Sequence, residues 1–263
     1  MTKWVYRRIA ADRSTERWLR TNHRGETVTL AQGPAVSFGS LVGVITSPDL
    51  APSVRAATTI AVGGASALGL LDDLTGATDI KGLRGHLGAL RNGEVTTGTV
   101  KLIGLGATGL VAGVLARRGR GGPVDALLAG AIVAGSANLA NLLDLRPGRA
   151  TKVFLAASAA PVLTGSPAGL VLTGPVGAAA GLLSDDLGER SMLGDTGANA
   201  LGAAWGVGVA ASLSRPALVA TVAALVGLTV ASERISFSHV IEHTPGLREF
   251  DGLGRRQTLT KDQ

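Results

Sequence analysis

The sequence predicts an all-α integral membrane protein of about eight transmembrane helices, with both termini cytoplasmic. Three observations predict this class. Hydrophobic residues fill 46% of the 263 positions, against 17% charged and 3% aromatic residues, and a soluble domain of this length carries more of the last two. Glycine is frequent, at 38 residues, and small residues let transmembrane helices approach closely where lipid supplies no hydrophobic drive between them. Apolar runs close to the ~20 residues that cross a bilayer recur along the chain.

Residues 1–32 form a basic N-terminal segment without an apolar core of signal-peptide length. It reads as a cytoplasmic tail or a short helix on the membrane surface, with Trp4 and Trp18 either at headgroup level or as ordinary solvent-side tryptophans. A transmembrane catalytic domain covers 33–231, with spans at 33–47, 54–71, 95–116, 123–142, 150–163, 167–184, 196–213 and 215–231. The first and fifth are short and need help from flanking residues. No linker, low-complexity stretch or internal repeat separates the spans. Residues 232–263 form a cytoplasmic C-terminal tail.

Eight spans put both termini on one side, and the positive-inside rule makes that side cytoplasmic. Only Arg55, Arg117, Arg118, Arg120 and Arg215 then lie outside, leaving 20 of the 25 Lys and Arg inside. The cluster "RRGRGG" at 117–122 runs against the rule. In a soluble chain a net charge of +6 suggests nucleic acid. Here it suits anionic lipid, and no basic patch interleaved with aromatics indicates an RNA partner. The absence of cysteine excludes disulfides, thiolate metal sites and a Cys nucleophile.

The acids follow a second pattern. All but Asp49 and Asp125 fall on the cytoplasmic side, many at helix ends. Asp72 and Asp73 end the second span, Asp144 the fourth, Asp185 and Asp186 the sixth, and Asp195 opens the seventh. Carboxylates at membrane depth are costly and mark function. Gathered at a helix mouth, they suit a hard divalent cation such as Mg²⁺, which takes a few carboxylates and shares substrate phosphates. Asp195 lies in "LGDTGANALG", a glycine-flanked turn whose helix N-terminus offers N–H groups to an anion. A cation-coupled transporter is the competing class, but it places its acids near mid-span.

Three stretches in order, "GLLDDLTGATDIKGL" (69–83), "NLANLLDLRPGRA" (138–150) and "MLGDTGANALG" (192–202), resemble the polyprenyl-phosphate N-acetylhexosaminyl-1-phosphate transferases. These enzymes start bacterial peptidoglycan, teichoic acid and O-antigen lipid intermediates. A looser match is "TNHRGETVTLAQGPAVSFG" (21–39). The resemblance implies transfer of a sugar 1-phosphate from a UDP-N-acetylhexosamine, of the UDP-GlcNAc or UDP-MurNAc-pentapeptide type, to a polyprenyl phosphate. UMP leaves, and Mg²⁺ is required, with Mn²⁺ as its substitute. It implies a multi-pass plasma-membrane protein with a cytoplasmic active site, and allows a homodimer. Asp72 and Asp73 match the aspartate pair that acts on the lipid phosphate. Asn138, Asn141 and Asp144 match the nucleotide and metal motif, with Asp144 catalytic. Asp195 matches the metal-binding aspartate, and Lys81 a phosphate-contacting lysine. His239 stands where the family has its histidine loop and is expected to bind substrate.

The chain departs from the pattern at "DLRPG", where Leu145 replaces a glycine and Pro147 an aspartate, and where Arg146 and Arg149 add positive charge. It has eight spans where the family has ten or eleven. The altered motif motivates another expectation: a family member without turnover that binds lipid or nucleotide as a partner in envelope assembly.

Overall fold

The structure is a computed structural model that describes residues 1–11, 16–75, 85, 88, 92, 93 and 96–256. It is a helical bundle with one small hairpin. In chain order the elements are α1 (Thr2–Ala10), a 3₁₀ turn (Glu16–Trp18), β1 (Leu19–Thr21), β2 (Thr27–Thr29), α2 (Gln32–Ile45) and α3 (Pro52–Thr75). Then come α4 (Thr97–Ala116), α5 (Pro123–Leu143), α6 (Arg149–Leu163), α7 (Pro167–Leu187), α8 (Gly194–Ser212) and α9 (Arg215–Ser232). Two short helices, α10 (Phe237–His243) and α11 (Leu247–Gly252), follow.

Each of the eight expected spans coincides with one helix, α2 to α9. Five of these, α3, α4, α5, α7 and α9, are long and apolar enough to cross a membrane. The helices start where local chemistry allows. Thr96 caps α4 by accepting from Thr99 N at 3.1 Å, and Ser166 caps α7 through Gly169 N at 3.2 Å. Pro123, Pro167 and Pro216 sit in the first turns of α5, α7 and α9, where a missing N–H removes no helical bond.

Helix α8 is the hub. It packs on α2, α3, α5 and α7 and is buried along most of its length. Its small residues permit this: Gly202 lies on Ser136 and Ala137 of α5, and Gly206 on Val133. Because α8 meets protein all round, its Asn199 and Thr196 never face lipid. The outer helices show the reverse. Ile103 and Val114 of α4, Leu127 of α5, and Val219 and Val226 of α9 are exposed and apolar, and α9 buries only Leu218 and Leu225. That is the surface a bilayer would cover.

Three features were not expected. Helix α1 packs against α2 and α7, with Val5 and Tyr6 in contact with the core. The hairpin pairs Leu19 with Thr29 and Thr21 with Thr27, and buries Val28 against the bundle end. Two arginines of the "RRGRGG" cluster bind the C-terminus of α8. Arg117 donates to the carbonyls of Ala210 and Leu213 at 3.1 and 2.9 Å, and Arg120 to Ala211 at 3.4 Å. Cations suit a helix C-terminus, whose last carbonyls have no helical partner.

Candidate functional site

Helix α3 ends at the same end of the bundle where α4 and α8 begin and α5 finishes. Its last turn carries Asp72 and Asp73. Asp73 faces the start of α8, where its carboxylate accepts from Asp195 N at 3.1 Å, Thr196 N at 2.9 Å and the Thr196 hydroxyl at 2.6 Å. A carboxylate at this position satisfies donors that open a helix and complements its dipole. Gly194 enters α8 with φ of 63°, a conformation open to glycine at little cost. The close approach also needs Gly69, because a methyl there would meet the backbone of Asp195 and Thr196. The Arg20 guanidinium of β1 donates to the Asp73 carbonyl.

Asp72 faces a different neighbour. Lys101, in the second turn of α4, bonds the Asp195 carboxylate and reaches Asp72 Oδ2 at 3.4 Å. Asn141 of α5 completes the group. With its amide turned to suit its neighbours, the nitrogen donates to Asp195 Oδ1 at 2.7 Å and the oxygen accepts from Lys101 Nζ at 3.0 Å. Asp144 caps the C-terminus of α5, and its charged neighbours are Asp186, Asp195 and Asp73. Thus Asp72, Asp73, Asn141, Asp144 and Asp195 converge, though they come from three separate stretches of sequence.

The other expected residues lie elsewhere. Asn138 turns to α9, 3.4 Å from the Thr229 hydroxyl. His239 is exposed on α10 and stacks on His243 with ring centroids 4.0 Å apart. Lys81 lies outside the described residues. Asp186 is buried and bound by Gly148 N at 2.9 Å, the Thr151 hydroxyl at 2.9 Å and Gln32 Nε2 at 3.1 Å. It ties α2, α6 and α7 together. Lys101 is the residue that the sequence reading missed. A lone lysine inside an apolar run was the available signal.

Beside Asp144 opens a cavity of about 190 Å³ whose lining includes Asn22, His23, Arg146, Pro147 and Glu189. One wall is the altered motif itself, and the C-terminal segment holds it. Arg255 donates to the Pro147 carbonyl at 3.0 Å. Arg149 is buried and pairs with Asp251 through two bonds of 2.9 and 3.0 Å. Burial works against the Asp251 carboxylate, but Arg149 and Arg255 outweigh it and hold its pKa below the ordinary value. Lys152 donates to the Phe250 and Leu253 carbonyls at 3.1 and 3.0 Å. Arg149, expected to add positive charge beside the site, is therefore tied to the C-terminal segment.

Among the described residues no group of three or more His, Asp and Glu side chains is arranged to hold a metal. The oxygens around Lys101, two carboxylates and an amide carbonyl, are nevertheless hard donors of the type Mg²⁺ prefers.

The chain matches no protein-family model, and no curated protein is significantly similar to it.

Proposed function

We propose that this protein is an integral-membrane sugar-1-phosphate transferase that moves the sugar phosphate of a UDP-N-acetylhexosamine onto a polyprenyl phosphate and releases UMP. In this reading all eight helices α2 to α9 span the plasma membrane, with the termini and the site on the cytoplasmic face. One observation carries it: Asp72, Asn141 and Asp195, from the three stretches that resemble such transferases, meet around one ammonium. Lys101 and Asp72 adjoin exposed apolar residues, Val100, Leu71 and Leu74, so a lipid phosphate has a sideways route from the bilayer. The cavity beside Asp144 gives a soluble donor its route from water.

The chemistry follows from these positions. Asp72 accepts the proton of the lipid phosphate. The freed phosphate oxygen forms a bond to the β-phosphorus of the donor, and the bond from that phosphorus to the bridging oxygen breaks. UMP leaves with the electron pair. Lys101 balances phosphate charge, Asn141 fixes the orientation of Asp195, and Asp73 holds the start of α8. Asp72, Asp195 and Asn141 would hold Mg²⁺, or Mn²⁺ in its place, which neutralises a diphosphate when bound.

A second reading has its own support. The Pro147 carbonyl and Arg149 are absorbed by the C-terminal segment, where the resembling family has a further aspartate. A binding partner without turnover fits that change. One experiment separates the two: UMP release by the protein in detergent with Mg²⁺, undecaprenyl phosphate and a panel of UDP-N-acetylhexosamines. UMP that is lost with chelator and with Asp195→Asn supports the transferase. No UMP beside an active control enzyme overturns it in favour of the partner. The transporter reading predicts flux in liposomes, and the placement of the acids at helix ends argues against it.

A further inference from the structure

We propose that Lys101 is a built-in counter-cation that competes with a divalent metal ion for the oxygens of Asp72, Asp195 and Asn141, so that the ion binds only when the Lys101 ammonium leaves them. The inference rests on the reading above that a hard divalent ion belongs among these groups.

The site has few oxygens to spare. Both oxygens of Asp73 are used by the N-terminus of α8. Arg20 goes to a backbone carbonyl and brings no charge between the carboxylates. The donors facing one another are therefore Asp72, Asp195 and Asn141, and the ammonium bonds all three. The Lys101 side chain is 12% exposed, and those of Asp72 and Asp195 are 30% and 25% exposed. Water screens such a group only in part. Two cations within about 4 Å of each other in that setting repel strongly, so ion and ammonium exclude one another. Lysine suits the exchange because its charge sits on a flexible four-carbon stem that swings without moving the helix.

The test is a Mn²⁺ titration of the full chain in detergent, with free Mn²⁺ read by electron paramagnetic resonance. Lys101→Met keeps a stem of four heavy atoms, Lys101→Gln puts a neutral polar group on a shorter one, and both remove the charge. Both are expected to bind Mn²⁺ roughly tenfold or more tightly than the parent. Adding Asp195→Asn to Lys101→Met should abolish that gain. Charge-free variants that bind no more tightly than the parent overturn the proposal. If the parent binds tightly and the variants bind more weakly, the proposal falls while the divalent-ion reading stands. If no form binds Mn²⁺, both fall. Should the variants fail to fold, the parent still decides. Mn²⁺ should raise acetylation of Lys101 by acetic anhydride, resolved by mass spectrometry, while the buried Lys152 stays constant. Unchanged or reduced Lys101 labelling overturns the proposal.

Discussion

Asp72 and Asp73 are neighbours in sequence, and replacing them one at a time separates building from chemistry. Asp73→Ala removes a carboxylate that accepts three hydrogen bonds at 3.1, 2.9 and 2.6 Å. Loss of a helix N-cap alone costs roughly 0.5–2 kcal/mol, and a hydrogen bond to a charged group contributes about 1.5–3 kcal/mol. The three bonds act on one helix start and do not add in full, so a loss of about 3 kcal/mol is expected. Asp73→Asn keeps an acceptor and loses the interaction of the charge with the dipole, so it should fall between. Asp72→Ala gives up a 3.4 Å contact with Lys101 from a side chain that is 30% exposed, and with it a contact to the Asp195 carboxylate that opposes it when both are charged, so the net loss should be about 1 kcal/mol or less. Unfolding in sodium dodecyl sulfate, followed by tryptophan fluorescence (Trp205 lies on α8), measures the order. UMP release gives the other axis: Asp72→Ala should lose activity while staying folded, and Asp73→Ala should lose both. An Asp73→Ala protein as stable as the parent, or less damaged than Asp72→Ala, would refute the capping argument.

Gly69→Ala should destabilise by about 1–3 kcal/mol, the range for overpacking, because its methyl meets the backbone of Asp195. Gly63→Ala, which meets nothing within 4 Å, should be neutral or slightly stabilising in the same unfolding assay. Asn141→Ala should lower UMP release by about a hundredfold, since it touches both Asp195 and Lys101. Asn138→Ala, turned to α9, should change it by less than about threefold, and equal losses would contradict this placement. Asp251→Ala strands the buried Arg149 and should cost about 3 kcal/mol. The lowered pKa of Asp251 sets the matching pH dependence. The stability it contributes is complete above the ordinary value of 3.8 and is lost as pH falls through the lower folded value. Hydrogen exchange of 247–256, corrected for intrinsic rate, should therefore stay slow at pH 5 and rise at pH 2.5, whereas equal protection at both would count against the ion pair.

The helices were legible in the sequence because lipid-facing and closely packed segments write long runs of apolar and small residues. The spans at 123–142 and 215–231 differ from α5 and α9 by one residue at one end. The second span, expected to stop at 71, continues as helix to Thr75, because the carboxylate read as the end of the apolar run is used inside the last turn. The convergence of Asp72, Asn141 and Asp195 was also legible, through motif order. The hairpin at 19–29 was not, since two strands of three residues are too short to show alternation. Nor was the return of the C-terminal segment, which depends on Arg149 meeting Asp251 across 102 positions. No local pattern encodes a pairing at that distance. Asn138 and Asn141 were grouped because they share a motif, and their different partners follow from the helices that happen to flank α5.

The reason for two adjacent aspartates follows from helix geometry. Neighbouring residues on an α-helix point about 100° apart, so Asp72 and Asp73 do not serve one point. From the last turn of α3, one direction faces the start of α8 and the other faces α4. Asp73 takes the first and fixes Asp195 through the backbone of α8. Asp72 takes the second and meets Lys101. Asp195, placed by Asp73, then turns its own side chain back towards the same lysine. The pair thus positions a third carboxylate opposite itself, and the Lys101 ammonium, bonded to both, offsets the repulsion of two carboxylates this close. Whether ammonium or metal ion fills that gap is the choice on which the proposed chemistry turns, and Lys101 sets it.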